Sequence, residues 1–141
     1  MFKRILIAHD GSDGAQRAFD VGVELAVAMN ATLHMISVEE DLPRHAEMII
    51  GEIAEAKDTQ DSYFGQLGKQ AKGRARLKGL SIETSVVSGH EVKAIVENAR
   101  EGQYDLLVVG FTGHSRIYDH LWGGTSQNLT RMAPCSVLVV K

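Results

Sequence analysis

The chain has 141 residues, 44% of them hydrophobic and 23% charged, which suits one soluble domain over residues 1–141 with a sizeable core. Its 15 basic and 18 acidic residues leave a net charge of −3, which argues against an electrostatic partnership with nucleic acid. One cysteine, Cys135, excludes an internal disulfide and fits a reducing compartment. With no signal-peptide pattern and no apolar span of about 18 residues, a cytoplasmic protein without a membrane partner is expected.

Ile5-Leu6-Ile7-Ala8 is a short continuous apolar run, the pattern of a central strand covered on both faces. It runs into His9-Asp10-Gly11-Ser12, where Ser12 suits a helix N-cap. Ala15, Ala18, Gly22, Leu25 and Met29 then recur at helical spacing through Asn30. Thr32 to Val38 is a second strand, ended by the acidic stretch from Glu39 to Pro43. Residues 43 to about 60 carry no clear period. Met48, Ile49, Ile50 and Ile53 fit a helical turn and equally a mobile flap. From Asp61, the positions Phe64, Leu67, Ala71 and Ala75 predict a second long helix, with Gly79 as its stop. Ser81 to Val87 alternates, with Ile82, Thr84 and Val86 on one side, and reads as a strand near an edge. Ser88 and Glu91 fit a capping box for a third helix carrying Val92, Ile95, Val96 and Ala99 and ending at Gly102. Leu106 to Gly110 is a buried strand, four apolar residues and then glycine. Leu129 and Met132 mark a short helix stopped by Pro134, and Val137 to Val140 a last apolar strand.

Strands alternating with helices, without repeat or linker, predict an α/β domain with an open parallel five-stranded sheet and helices on both faces. The two fully apolar strands, first and fourth, belong at the centre, and the alternating third at an edge. The predicted strand order is therefore 3-2-1-4-5. Ligands of such sheets bind at the switch point, here between the first and fourth strands. The first ends at His9-Asp10 and the fourth at Gly110. The loop that follows carries Gly110, Gly113, Gly123 and Gly124 with the hydroxyls of Thr125 and Ser126 before a helix start, a candidate phosphate cradle. It is neither a Walker motif nor GxGxxG.

Each of these residues also has a plainer role open to it. Asp10 can simply end its strand in a turn, and Gly110 and Gly113 can serve close helix–sheet packing. His9 suits a hydrogen-bonded strand end, Trp122 a hydrophobic loop anchor, and Cys135 a small buried apolar site. His114 and His120 stand six apart with no third ligand, so no metal site is expected. No nucleophile lies beside a base, so no catalytic residue is expected.

The chain resembles the universal stress proteins of the UspA type over essentially its whole length. Gly110-x2-Gly113-x9-Gly123 matches that family's nucleotide motif G-x2-G-x9-G-(S/T), and Asp10-Gly11-Ser12 and the run from Pro134 to Val140 match further signatures. The resemblance implies a Rossmann-like fold of the adenine nucleotide alpha hydrolase kind and a stress-response protein that binds ATP or another adenine nucleotide. Magnesium would come only with the nucleotide. The implied site is His9, Asp10, Val38, Val109, Gly110, Gly113, His114, Gly123, Gly124, Thr125 and Ser126. Asp10 would accept from the ribose hydroxyls. Val38 would lie against adenine, Val109 against ribose or base, and Gly110, Gly113 and Gly123 along the phosphates, with Arg116 near their charge. The sequence departs from the pattern at Gly124, where the family has serine or threonine; Ser126 matches a second hydroxyl position. The implied activity is non-enzymatic. A slow nucleotide hydrolase and a nucleotide-independent interaction module of the same fold are the alternatives. The apolar last strand, placed at the sheet edge with only Lys141 after it, predicts a homodimer through that strand.

Overall fold

Ile5, Leu6 and Ile7 are at most 1% exposed at the centre of a parallel five-stranded sheet. The computed structural model describes residues 1–40, 50–111 and 124–141, the side chains of 50–62 excepted. The strands are β1 (Arg4–Ala8), β2 (Thr32–Glu39), β3 (Glu83–Ser88), β4 (Leu106–Gly110) and β5 (Ser136–Val140). The helices are α1 (Asp13–Met29), α2 (Ile50–Leu77), α3 (Glu91–Glu101) and α4 (Thr125–Met132). The sheet order is β3-β2-β1-β4-β5, as the pattern of apolar runs predicts. β1 pairs with β2 on one side, Ile7 opposite Met35, and with β4 on the other, Ile7 opposite Val108.

Alternation along β1 sorts the core into two layers. Ile5 and Ile7 pack with Ala18, Phe19, Val23 and Ala26 of α1 and Phe64, Leu67, Ala71 and Ala75 of α2. Leu6 faces the opposite side, with Val92, Ile95, Val96 and Ala99 of α3 and Leu129 of α4. The runs at residues 5–8 and 106–109 of the central strands are therefore continuously apolar because both faces are covered.

Local signals set most helix ends. Ser12 Oγ accepts the Ala15 N–H at 3.2 Å at the start of α1. Asn30 closes that helix in the left-handed conformation, φ 54°. α2 stops just before Gly79, and Ala133, extended ahead of Pro134, ends α4. The capping box at Ser88 and Glu91 does not form. Ser88 is the last residue of β3, and the His90 side chain caps α3 by accepting from the Lys93 N–H. α2 is helical already at Ile50, which settles residues 50–60 as helix; residues 43–49 lie outside the described residues.

Three apolar positions differ from expectation. Met29 and Met132 are 37% and 55% exposed, because each is the last residue of its helix and sits past the face that meets the sheet. Val86 is 44% exposed, whereas Ile82 and Thr84 on the same side of the segment lie under α2, with Gly68 over Thr84. Among the described residues, no helix is long and apolar enough to cross a membrane.

Candidate functional site

The C-terminal ends of β1 and β4 leave the sheet side by side. Beyond Ala8 the chain is pinned to β2: the His9 N–H donates to Ile36 O at 2.9 Å and Ser37 Oγ donates to His9 O at 2.8 Å. A tight turn follows. The Ser12 N–H donates to Asp10 Oδ1 at 2.9 Å and the Gly11 N–H donates to His9 Nδ1 at 3.0 Å. Gly11 has φ +90°, a backbone conformation that L side chains rarely adopt, which favours glycine here, and the hydroxyl of the exposed Tyr63 from α2 lies close over it. Asp10 thus takes the turn-forming role its position suggests, with Ser12 using one of the several acceptor positions of its carboxylate.

His9 is 3% exposed beneath this turn, and its Nε2 meets Gln16 Oε1 at 3.3 Å. It is the hydrogen-bonded strand-end histidine of the sequence reading, turned into the protein. Burial pushes its pKa below the ordinary value near 6.5, outweighing the Gln16 bond and the carboxylates of Asp10 and Asp20.

On the other strand, Gly110 closes β4 opposite Val140 of β5. A Cβ on Gly110 would stand 2.6 Å from the Gly14 carbonyl carbon and 2.9 Å from the Ala15 nitrogen. Gly110 is therefore what lets the first turn of α1 close on the end of β4, the packing role open to it from sequence. Val38 is partly buried near the end of β2, on the α3 side of the sheet. Val109 is 4% exposed, its side chain packed in that same layer.

Gly124 is the N-cap of α4 and brings no side-chain cap bond. Thr125 Oγ1 donates to Glu91 Oε2 at 3.4 Å, tying the starts of α4 and α3 together. Ser126 is 8% exposed, and its carbonyl accepts from Thr130 Oγ1 at 2.7 Å. The structure thus brings His9, Asp10, Gly110 and the start of α1 together, and sets Thr125 beside the start of α3. Gly113, His114 and Gly123 lie outside the described residues, as do Arg116, His120 and Trp122. Among the described residues no group of three or more His, Cys, Asp or Glu is placed to hold a metal ion.

The model of the universal stress protein family matches residues 1–141. The chain belongs to the universal stress protein family. It is 32% identical over 143 residues to the universal stress protein Rv1636 of Mycobacterium tuberculosis, covering 99% of this chain and 96% of that one. Universal stress protein UspA from Lactobacillus plantarum superposes with a TM-score of 0.90 at 25% identity, over 99% of this chain and 98% of that one. A universal stress protein crystallised in complex with cAMP matches at 30% identity and TM-score 0.77, over 99% and 97% of the two chains. The fold is thus the Rossmann-like fold of these proteins. Gly124 stands at the N-cap of α4, a place where a serine or threonine would supply a side-chain cap.

Sequence reading missed three residues that build the site. Ser37, Gln16 and Tyr63 all bond to the His9–Asp10 segment. Only Gln16 left a trace, standing one turn after the N-cap Ser12.

Proposed function

We propose that this universal stress protein binds an adenine nucleotide at the ends of β1 and β4, without efficient turnover, and acts as a homodimer in a stress response. The observation that carries the reading is the pairing of β1 with β4. It sets the Asp10 turn and Gly110 side by side at the switch point of the sheet. The cAMP complex of a related protein supports the ligand class. ATP and cAMP differ in what they ask of the site. ATP offers a ribose diol and three phosphates, whereas cAMP offers one free ribose hydroxyl and one cyclic phosphodiester. Magnesium would arrive with a polyphosphate.

Calorimetric titration of nucleotide-free protein with ATP, ADP, AMP and cAMP tests the reading. At least one is expected to bind. Silence from all four at about 1 mM, a binding free energy weaker than about −4 kcal/mol, overturns it in favour of a nucleotide-independent interaction module. The same titration on Gly124→Ser is expected to raise ATP affinity about tenfold, the effect of one added bond to a charged group. Unchanged affinity would assign that bond to Thr125, Ser126 or backbone N–H groups.

The dimer reading rests on β5. It is an edge strand in the sheet, apolar from Val137 to Val140 and half-buried along that run. Such an edge presents unpaired backbone groups to a second copy. Leu138 packs toward the α1–α2 layer and Val139 toward the α3–α4 layer, so a lysine at each probes both sides of the seam. In sedimentation equilibrium at micromolar concentration the wild type is expected at twice the chain mass, and Leu138→Lys or Val139→Lys at the mass of one chain. A wild-type mass of one chain overturns the dimer.

A further inference from the structure

The nucleotide reading leaves His9, a buried titratable group, without a task. Beneath the Asp10–Gly11 turn, His9 Nδ1 accepts the Gly11 N–H and Nε2 meets Gln16 Oε1. Gln16 Nε2 donates to Asp20 Oδ1 at 3.2 Å, and Arg74 of α2 donates from Nη2 to both Asp20 oxygens, at 2.8 and 2.9 Å. One polar chain therefore runs from the turn along α1 to α2. Its direction follows from its first link. A backbone N–H can only donate, so Nδ1 must carry a lone pair and the proton sits on Nε2. Gln16 then accepts through Oε1 and turns its amide group toward Asp20. Each bond in the chain has its donor and its acceptor only while His9 is neutral.

We propose that His9 is the positioning residue of the nucleotide site: neutral, it holds the Asp10–Gly11 turn in its binding geometry, and protonated on Nδ1 it releases the Gly11 N–H and lowers nucleotide affinity. The inference rests on the proposed site at Asp10, and His9 acts through that turn without touching the ligand. Among the described residues, the charged groups that act on the ring are Asp10 in the turn, Asp20 on α1 and Arg74 on α2; the Phe19 ring packs beside it, 5.9 Å away between centroids. The two carboxylates favour protonation, while burial and Arg74 oppose it, burial most strongly. A histidine whose folded-state pKa is depressed takes up its proton in the unfolded chain first. Its neutral form therefore contributes full stability above about pH 6.5, and that contribution is lost as pH falls from there toward the folded value. Release of the turn in the folded protein comes lower still, as pH passes the depressed folded value.

The test measures cAMP and ATP affinity from about pH 8 down to the lowest pH at which each protein stays folded, in wild type, His9→Asn and His9→Leu. The asparagine Oδ1 can stand near the position of Nδ1 and accept from Gly11 without titrating; leucine offers no acceptor. Wild-type affinity is expected to fall about tenfold relative to His9→Asn as pH drops through the folded value, and His9→Leu to bind weakly with a profile parallel to that of His9→Asn. Ligand phosphates titrate alike in all three proteins, so the difference between profiles is the readout. In ligand-free protein, the Gly11 amide resonance is expected to titrate with the His9 ring in wild type and to stay fixed in His9→Asn. Identical affinity profiles in wild type and His9→Asn overturn the proposal, as does a Gly11 amide indifferent to His9. A Gly11 amide that follows His9 in a protein that binds no nucleotide at pH 8 retires the nucleotide site instead, and leaves His9 as the holder of the turn.

Discussion

Gly110→Ala is expected to destabilise the fold by about 3 kcal/mol, at the upper end of what overpacking usually costs. The added Cβ would meet the Gly14 carbonyl carbon at 2.6 Å, its oxygen at 2.7 Å and the Ala15 nitrogen at 2.9 Å. All three are backbone atoms and cannot rotate away. Relief requires α1 to move off the end of β4. That motion would disturb Ala18 and Phe19, both fully buried against β1. Urea unfolding checks the value through the midpoint, with the slope unchanged if the denatured state is the same. Gly73→Ala supplies the opposite sign. A Cβ there meets nothing within 4 Å in the interior of α2, so alanine is expected to stabilise by about 0.5–1 kcal/mol. A Gly110→Ala midpoint equal to that of the wild type would show that α1 slides at no cost, against the packing described.

This result bears on how the glycine motif is read. Spacing alone does not distinguish a glycine that admits a phosphate from one that admits a helix. Gly110 meets the second requirement whatever ligand is bound, so loss of binding in a Gly110 variant says little about phosphate contact. The nucleotide test belongs at Asp10 and Gly124, where substitution leaves the packing of α1 on β4 in place.

What the sequence made legible follows from burial. Strands covered on both faces are continuous apolar runs, so Ile5-Leu6-Ile7 and Leu106-Leu107-Val108-Val109 placed themselves at the centre and fixed the strand order. Ser12, Asn30 and Gly79 act within their own turns, and such signals survive in sequence. The start of α2 was hidden because residues 43–60 mix short apolar groups with charge and show no period. The cap of α3 was hidden because histidine is not among the usual N-cap residues, and the serine two positions earlier ends a strand instead. The support of the site was hidden for another reason. Tyr63 reaches Asp10 across 53 residues of chain, Ser37 reaches His9 across 28, and Arg74 reaches Asp20 across 54. Contacts of that kind are set by packing, and no local pattern encodes them.

Asp10→Asn is expected to lower ATP affinity by about ten- to a hundredfold while leaving the fold intact. In the structure Asp10 Oδ1 accepts the Ser12 N–H at 2.9 Å, a bond that an asparagine carbonyl makes equally well. The turn should therefore survive, with a stability change under about 0.5 kcal/mol. Ligand binding asks more of this side chain. A ribose diol offers hydroxyl donors, and a carboxylate meets them with acceptors alone. The asparagine NH2 would face those donors with a donor of its own, and the charge that strengthens the bonds would be gone. Bonds to a charged group contribute about 1.5–3 kcal/mol, which is the stated range in affinity. With cAMP, whose 3′ oxygen is held in the cyclic phosphodiester, one ribose hydroxyl remains and a smaller loss is expected. Asp10→Ala removes the turn bond as well, and should lower both the melting temperature and the affinity. Calorimetry with ATP and cAMP, beside thermal melts of the three proteins, separates these contributions. If Asp10→Asn binds both nucleotides as the wild type does, Asp10 serves only to end β1, and the ribose must be held by other groups at the switch point.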